Sequence, residues 1–94
     1  MKQILWSETA KKDLQQIYDY IAEDSVYYAD LFVDELMGKL ESLKEFPNIG
    51  RLVPEIQSDD VREIFYHSYR VMYKSLHGNV YITQITHMSR NFTG

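Results

Sequence analysis

The sequence predicts an α+β fold of order βααβββ, in which a helical hairpin packs on a small antiparallel sheet. Two observations lead to this prediction: apolar residues recur at helical spacing in the first half, and three β-rich runs with short links follow in the second. The chain has 94 residues, 45 % of them hydrophobic, which is enough for one core. We therefore interpret residues 1–94 as a single domain.

The first half is predicted to form one short strand and two helices. Residues 3–6 are typical of a strand, and Ser7 can cap a helix over about residues 8–24. A second helical pattern covers about residues 27–45 and ends before Pro47, because the residue before a proline is disfavoured in the α region. The short joint between the two helices predicts an antiparallel hairpin.

The second half is predicted to be an antiparallel meander that follows a long loop. Residues 47–60 show no clear period and are long for a connector, so we expect this loop to be functional or pinned across the sheet. Strands are predicted over 61–66, 69–75 and 80–86, with links short enough for hairpins. Gly38, inside the second helix, is interpreted as a mark of close backbone approach.

The net charge of −4 hides an uneven distribution. Residues 1–60 hold six Lys/Arg against thirteen Asp/Glu, whereas residues 61–94 hold four against one and all three histidines. The acidic total argues against nonspecific binding of nucleic acid, and any bound anion is expected at the cationic C-terminal third. No cysteine is present, and no apolar run approaches the roughly 18 residues of a membrane span. We expect a cytoplasmic protein that does not contact a membrane.

The direction of the meander gathers four polar side chains at one end of the sheet: His67, Arg70, His87 and Arg90. Strand alternation lets Arg70 face solvent together with Met72 and Lys74. In that case Arg70 can pair with Glu63 or an acidic helix residue, and the alternative is that it holds an anion. A shift of one residue in register reverses the face, so the sequence leaves open whether Arg70 and His87 share one.

No metal site and no cofactor are predicted. The three histidines are ten residues apart, but the meander separates His77 from the other two. Two histidines without a nearby carboxylate or cysteine make a poor metal site. The sequence also contains no Gly-rich phosphate loop and no turn typical of a strained nucleophile.

Five stretches occur in a characteristic order: Trp6-Ser7, TAKKDLQQIYDYIA (9–22), FPNIGRLVPE (46–55), VREIFYHSYRVMYK (61–74) and ITHMSR (85–90). In this order and spacing, over nearly the whole chain, they resemble the RelE/ParE superfamily. Its members are the toxins of type II toxin–antitoxin systems and share the βααβββ plan.

The resemblance implies two candidate activities. In the ribonuclease branch, an arginine of the "YR" strand contacts RNA phosphate and a second arginine after the last strand assists the leaving group. Arg70 and Arg90 match these positions, and His87 could act as an acid or base. That branch usually has further cations on the preceding strand and a C-terminal tyrosine or histidine. Residues 61–65 here contain one cation and one acid, and no tyrosine follows Arg90.

We therefore interpret the chain as closer to the ParE branch, whose members inhibit DNA gyrase by binding it. A ribosome-dependent mRNA endonuclease that uses Arg70 and Arg90 remains the alternative, and a degenerate or stabilisation-module member with neither activity is the third interpretation. Either activity implies a cognate antitoxin whose C-terminal segment wraps the toxin. Arg51, Arg62, Arg70 and Arg90 are the cations expected to bind the antitoxin or the target. For Arg51 a solvated loop is the rival interpretation, and for Arg62 a local pair with Glu63.

Overall fold

The computed structural model describes residues 2–56 and 60–89. Within these ranges the structure contains five strands and two helices: β1 (Ile4–Trp6), α1 (Glu8–Ala22), α2 (Val26–Glu41), β2 (Arg51–Leu52), β3 (Val61–Tyr66), β4 (Tyr69–Leu76) and β5 (Asn79–His87). The predicted α+β fold is confirmed. Strand β2 was not predicted, because it occupies only two residues of the long loop.

Each helix begins at a serine whose side chain accepts a hydrogen bond from the first turn. The hydroxyl oxygen of Ser7 accepts from the N–H of Ala10 at 3.0 Å, and that of Ser25 from the N–H of Tyr28 at 3.2 Å. A single 3₁₀ turn over Ser42–Lys44 follows α2, so the helical path stops before Pro47 as predicted. No helix in the described ranges has the length and apolar content needed to cross a bilayer.

The five strands form one sheet in the order β1-β5-β4-β3-β2. The last three strands are consecutive antiparallel neighbours, as the meander prediction required. Strand β1 lies at one edge of the sheet and pairs in parallel with β5, the last strand of the described chain. Strand β2 pairs with β3 at the opposite edge and covers only two residues of it.

Both faces of the sheet are covered. The two helices pack on one face over a core that includes Ile17, Leu36, Val71 and Ile82. On the other face, Val53 and Ile56 of the segment after β2 pack on buried residues of β3 and β4: Val61 and Met72. The prediction that Arg70 and Met72 face solvent is therefore wrong, because residues 53–56 cross that face. Lys74 is exposed as predicted.

The close backbone approach occurs at Gly50 and not at Gly38. The prediction of a close approach at Gly38 is wrong, since a Cβ there would meet no atom within 4 Å. At Gly50 an added Cβ would lie 2.6 Å from the carbonyl oxygen of Glu63 and from the hydroxyl of Tyr73. The Gly50 N–H donates to this hydroxyl at 2.9 Å, and the hydroxyl donates to the Pro47 carbonyl at 2.7 Å. Residues 47–50 are thus pinned to β4.

Candidate functional site

Arg70 lies at the centre of a buried ion cluster on the face opposite the helices. Its side chain is only 7 % exposed. Nε and Nη2 donate to Oε1 of Glu63 at 2.8 and 2.6 Å. Nη1 and Nη2 donate to the two carboxylate oxygens of Glu55 at 2.7 and 3.0 Å, which is the bidentate geometry that suits a guanidinium.

The cluster extends through Glu63 to a second arginine. Glu63 has no exposed side-chain surface, and its Oε2 accepts a hydrogen bond from Nε of Arg51. Arg51 is 62 % exposed and stacks over the Phe65 ring, with Cζ 5.3 Å from the ring centroid. We call these four residues, Arg51, Glu55, Glu63 and Arg70, the Arg70 cluster. Its two positive and two negative charges balance, as buried charges require.

Three elements bring the Arg70 cluster together. In the β3–β4 register Phe65 is opposite Arg70 and Glu63 is opposite Met72, so Glu63 and Arg70 point to one face from diagonal positions. The segment after β2 adds Glu55 across that face, while β2 itself supplies Arg51 beside Glu63. The long loop is therefore pinned across the sheet, one of the two outcomes expected from its length.

Electrostatics favour the ionised forms of Glu55 and Arg70. The hydrogen bonds from Arg70 lower the pKa of the Glu55 carboxyl, and the carboxylate of Glu55 in turn raises the pKa of Arg70. A guanidinium has five N–H groups, and these contacts use four of them. A phosphate could bind Arg70 bidentately only after displacing Glu55.

His87 lies on the other face of the sheet. The register pairs His87 with Tyr69 and Arg70 with Thr86, so Arg70 and His87 alternate to opposite sides. The ring of His87 lies edge-on against Tyr69 with centroids 5.4 Å apart, and its Nδ1 lies 2.8 Å from the hydroxyl oxygen of Ser89. His87 and Tyr69 line a polar cleft with Asp13 and Tyr20 of α1.

With the fold and this geometry established, the chain can be compared with known proteins. The family model for the ParE toxin of type II toxin–antitoxin system, parDE, matches residues 4–92. The chain belongs to the ParE toxin family. It is therefore the toxin of a type II toxin–antitoxin system, and such a system implies a cognate antitoxin as partner. The superfamily resemblance predicted from the sequence is confirmed.

One relative and one solved structure are similar to this ParE-family toxin. Toxin RelE2 of Caulobacter vibrioides is 33 % identical over 91 residues, which cover 96 % of this chain and 99 % of that protein. A solved structure of a chromosomal ParDE TA system from P. aeruginosa superposes with a TM-score of 0.73 at 21 % identity. The superposition covers 93 % of this chain and 96 % of that chain, and it shows that the two share a fold.

The remaining predicted site residues of the ParE-family toxin have separate environments. Arg62 lies on the helix-side face of β3 and donates to the carbonyl oxygens of Gly50 and Asn48, at 2.8 and 3.5 Å. In the described part of the chain it does not form the local pair with Glu63, since that carboxylate is taken by Arg51 and Arg70. Arg90 lies outside the described residues. The assignment of these arginines to an antitoxin or target stays a prediction.

Glu55 was missed by the sequence analysis, although it decides the environment of Arg70. It occurs in an aperiodic loop, fifteen positions before the arginine that it binds. The available signal was indirect: Glu63 and Arg70 fall on adjacent predicted strands, and the five N–H groups of a buried guanidinium need more acceptors than one carboxylate contact provides. Within the described ranges no three His, Cys, Asp or Glu side chains come together as a metal site would require.

Proposed function

We propose that this ParE-family toxin inhibits DNA gyrase by binding it and carries out no chemistry of its own. One observation carries the proposal: Arg70, at the position matched to the phosphate-binding arginine of the ribonuclease branch, is buried and bound to two carboxylates of its own chain. A guanidinium held in this way has one N–H group left and cannot present a pair of free donors to a phosphate of RNA.

Among residues 2–56 and 60–89, no suitable proton carrier lies beside Arg70, which supports the same proposal. General acid–base catalysis needs a group that titrates near neutral pH within hydrogen-bond reach of the reacting atoms. His87 points to the opposite face. Tyr66 is nearby in the chain, but burial and its hydrogen bond to Glu35 raise the pKa of its hydroxyl to about 12. In the described part of the chain, neither group stands ready to move a proton at Arg70.

A ribosome-dependent mRNA endonuclease remains the second candidate, because the relative from Caulobacter vibrioides bears the name RelE2. For this activity Glu55 would have to leave Arg70 so that the guanidinium could hold phosphate beside Arg90. The variant Glu55→Gln removes the competing charge while keeping the side-chain shape. It should raise mRNA cleavage if the endonuclease hypothesis is correct, and leave it at background if it is not.

Purified toxin assayed for both activities tests the proposal directly. The expected result is inhibition of gyrase supercoiling that increases with toxin concentration, with no cleavage of mRNA on ribosomes. Toxin mixed with its cognate antitoxin is the matched control and should not inhibit. Normal supercoiling at saturating toxin would contradict the proposal, and cleavage of ribosome-bound mRNA would favour the second candidate.

The variant Arg70→Ala alone cannot separate the two candidates. Removing Arg70 leaves Glu63 buried without its main partner, so activity lost in this variant could reflect unfolding. Each Arg70 variant should therefore be assayed only after its free energy of unfolding has been measured.

A further inference from the structure

The end of the molecule where the helical hairpin turns is rich in exposed apolar and aromatic side chains. Tyr20, Tyr27 and Tyr28 are 68, 70 and 62 % exposed, and Tyr27 and Tyr28 contact each other edge-on at 5.3 Å. Together with Val26 and Leu31 they form what we call the hairpin patch: Tyr20, Val26, Tyr27, Tyr28 and Leu31. Tyrosine is enriched at protein interfaces, and grouped exposed apolar residues mark interaction sites.

The hairpin patch is continuous with the end of the sheet. Helix α1 passes β5 at Asp13, whose carboxylate accepts the Ile85 N–H at 2.9 Å. Further along α1, Tyr20 lines the same polar cleft as His87. Phe32, in the second turn of α2, has its ring within 6 Å of three rings where β3 turns into β4: Tyr66, His67 and Tyr69. One end of the molecule therefore presents aromatic side chains from both helices and from the sheet.

The hairpin that carries the patch is uniformly acidic. Residues 13–38 contain seven Asp/Glu and no Lys or Arg. Among the described residues, none of these seven carboxylates takes part in an ion pair. Two of them accept hydrogen bonds from neutral hydroxyls, Tyr18 to Asp30 at 2.7 Å and Tyr66 to Glu35 at 2.8 Å, which leave the negative charge in place. The aromatic end thus lies in a negative field.

We propose that the hairpin patch is the surface by which the toxin docks on gyrase, against a basic region of that enzyme. This inference rests on the proposed function. An enzyme that acts on DNA exposes basic surfaces that contact phosphate, and such a surface complements an acidic patch with tyrosine anchors. Nucleic acid and a second copy of this acidic hairpin are disfavoured as occupants, because both would bring negative charge to it.

Charge reversal at matched positions tests the inference. Glu23 and Glu45 are both exposed C-cap residues, Glu23 of α1 beside the patch and Glu45 of the 3₁₀ turn at the far end of α2. Glu23→Lys and Glu45→Lys change the net charge equally. In the gyrase supercoiling assay, Glu23→Lys should raise the toxin concentration for half inhibition by about tenfold, whereas Glu45→Lys should change it by less than about twofold.

Removal of aromatic side chains gives a second pair of variants. Tyr27→Ala takes away an exposed anchor in the first turn of α2, and Phe46→Ala takes away a similarly exposed ring, 59 % exposed, beyond the other end of that helix. Tyr27→Ala should weaken toxin–gyrase binding by about tenfold or more, and Phe46→Ala should leave it nearly unchanged. Circular dichroism and urea denaturation check that each variant is folded.

The two proposals fail in different ways. If the wild-type toxin does not inhibit gyrase, the proposed function is wrong and this docking partner is wrong with it. If the wild-type toxin inhibits but Glu23→Lys and Tyr27→Ala inhibit equally well, only the docking surface is wrong. Loss of antitoxin binding with intact gyrase inhibition, or loss of measured binding to an RNA oligonucleotide, would assign the hairpin patch to a different occupant and overturn the inference.

Discussion

At Arg70, the side chain that could hold a phosphate is already neutralised by carboxylates of the same protein. The relevant balance is between the desolvation cost of burying two charges, Glu63 and Arg70, and the attraction among the members of the Arg70 cluster. The attraction offsets the desolvation cost here, because nearly all hydrogen-bonding groups of Glu63 and Arg70 have a partner within the Arg70 cluster. We therefore expect the free energy of unfolding to fall when one member of the Arg70 cluster is replaced. It should fall less when an oppositely charged pair is replaced together.

Arg70→Met tests this expectation by leaving Glu63 buried with only one guanidinium contact. It should lower the free energy of unfolding by about 3–5 kcal/mol, measured by urea denaturation. Lys11→Met removes a cation from an exposed pair with Glu8 and should cost at most about 1 kcal/mol. The double variant Arg70→Met with Glu63→Leu should be more stable than Arg70→Met alone. Equal losses for Arg70→Met and Lys11→Met would contradict the assigned role of the cluster.

Tyr66 makes the free energy of unfolding depend on pH in a direction that can be predicted. Burial and the hydrogen bond to Glu35 raise its pKa to about 12 in the folded protein, against about 10 in the unfolded chain. Tyr66 therefore stabilises the fold fully below pH 10, and this contribution is lost as the pH rises from about 10 to 12. The free energy of unfolding should fall less steeply over that interval in Tyr66→Phe than in the wild type. Tyr27→Phe, at an exposed position, is the control and should retain the wild-type slope.

At the scale of the elements, the loop between α2 and β3 is held by close packing at Gly50. Gly50→Ala would place a methyl group 2.6 Å from backbone and from the buried Tyr73 ring hydroxyl, so we expect a loss of about 1–3 kcal/mol. Gly38→Ala is the matched control, for which we expect the opposite change in the free energy of unfolding. It adds the same methyl group to open space inside α2 and should stabilise by roughly 0.5–1 kcal/mol. Urea denaturation of both variants checks the prediction, and a neutral effect at Gly50 would contradict the packing.

The elements that the sequence predicted well are those with local signals. Ser7 caps α1 through a hydroxyl three residues from its partner, and the meander strands β3 to β5 agree with their predicted bounds within one residue. The segment after β2 could not be placed, because Val53 and Glu55 gain their partners only across the sheet. For the same reason the sequence indicated that Arg70 was important but could not distinguish a buried ion cluster from a site for an external anion.

At the scale of the whole molecule, the two charge regions seen in the sequence do not remain separate. Glu55, from the acidic part of the chain, crosses to Arg70 of the cationic third and neutralises it. Glu63 likewise binds Arg51 and Arg70 together. The sheet thus loses much of the positive surface that the sequence predicted, while the helical hairpin keeps its full negative charge.

This distribution predicts that the free toxin does not bind RNA appreciably. Proteins that bind nucleic acid nonspecifically do so through phosphate contacts, typically with Kd values of about 10⁻⁴–10⁻⁶ M at physiological salt. A surface with paired arginines and an acidic hairpin should bind a single-stranded RNA oligonucleotide more weakly than about 10⁻⁴ M, measured by fluorescence anisotropy. Glu55→Gln is the informative variant, because it removes one negative charge and one of the two oxygen acceptors that Glu55 offers to Arg70. One added phosphate contact is too little to overcome the negative field of the acidic hairpin. RNA binding by this variant should therefore also remain below detection. Micromolar binding that weakens steeply with salt would show that the positive surface persists, and would favour the endonuclease hypothesis.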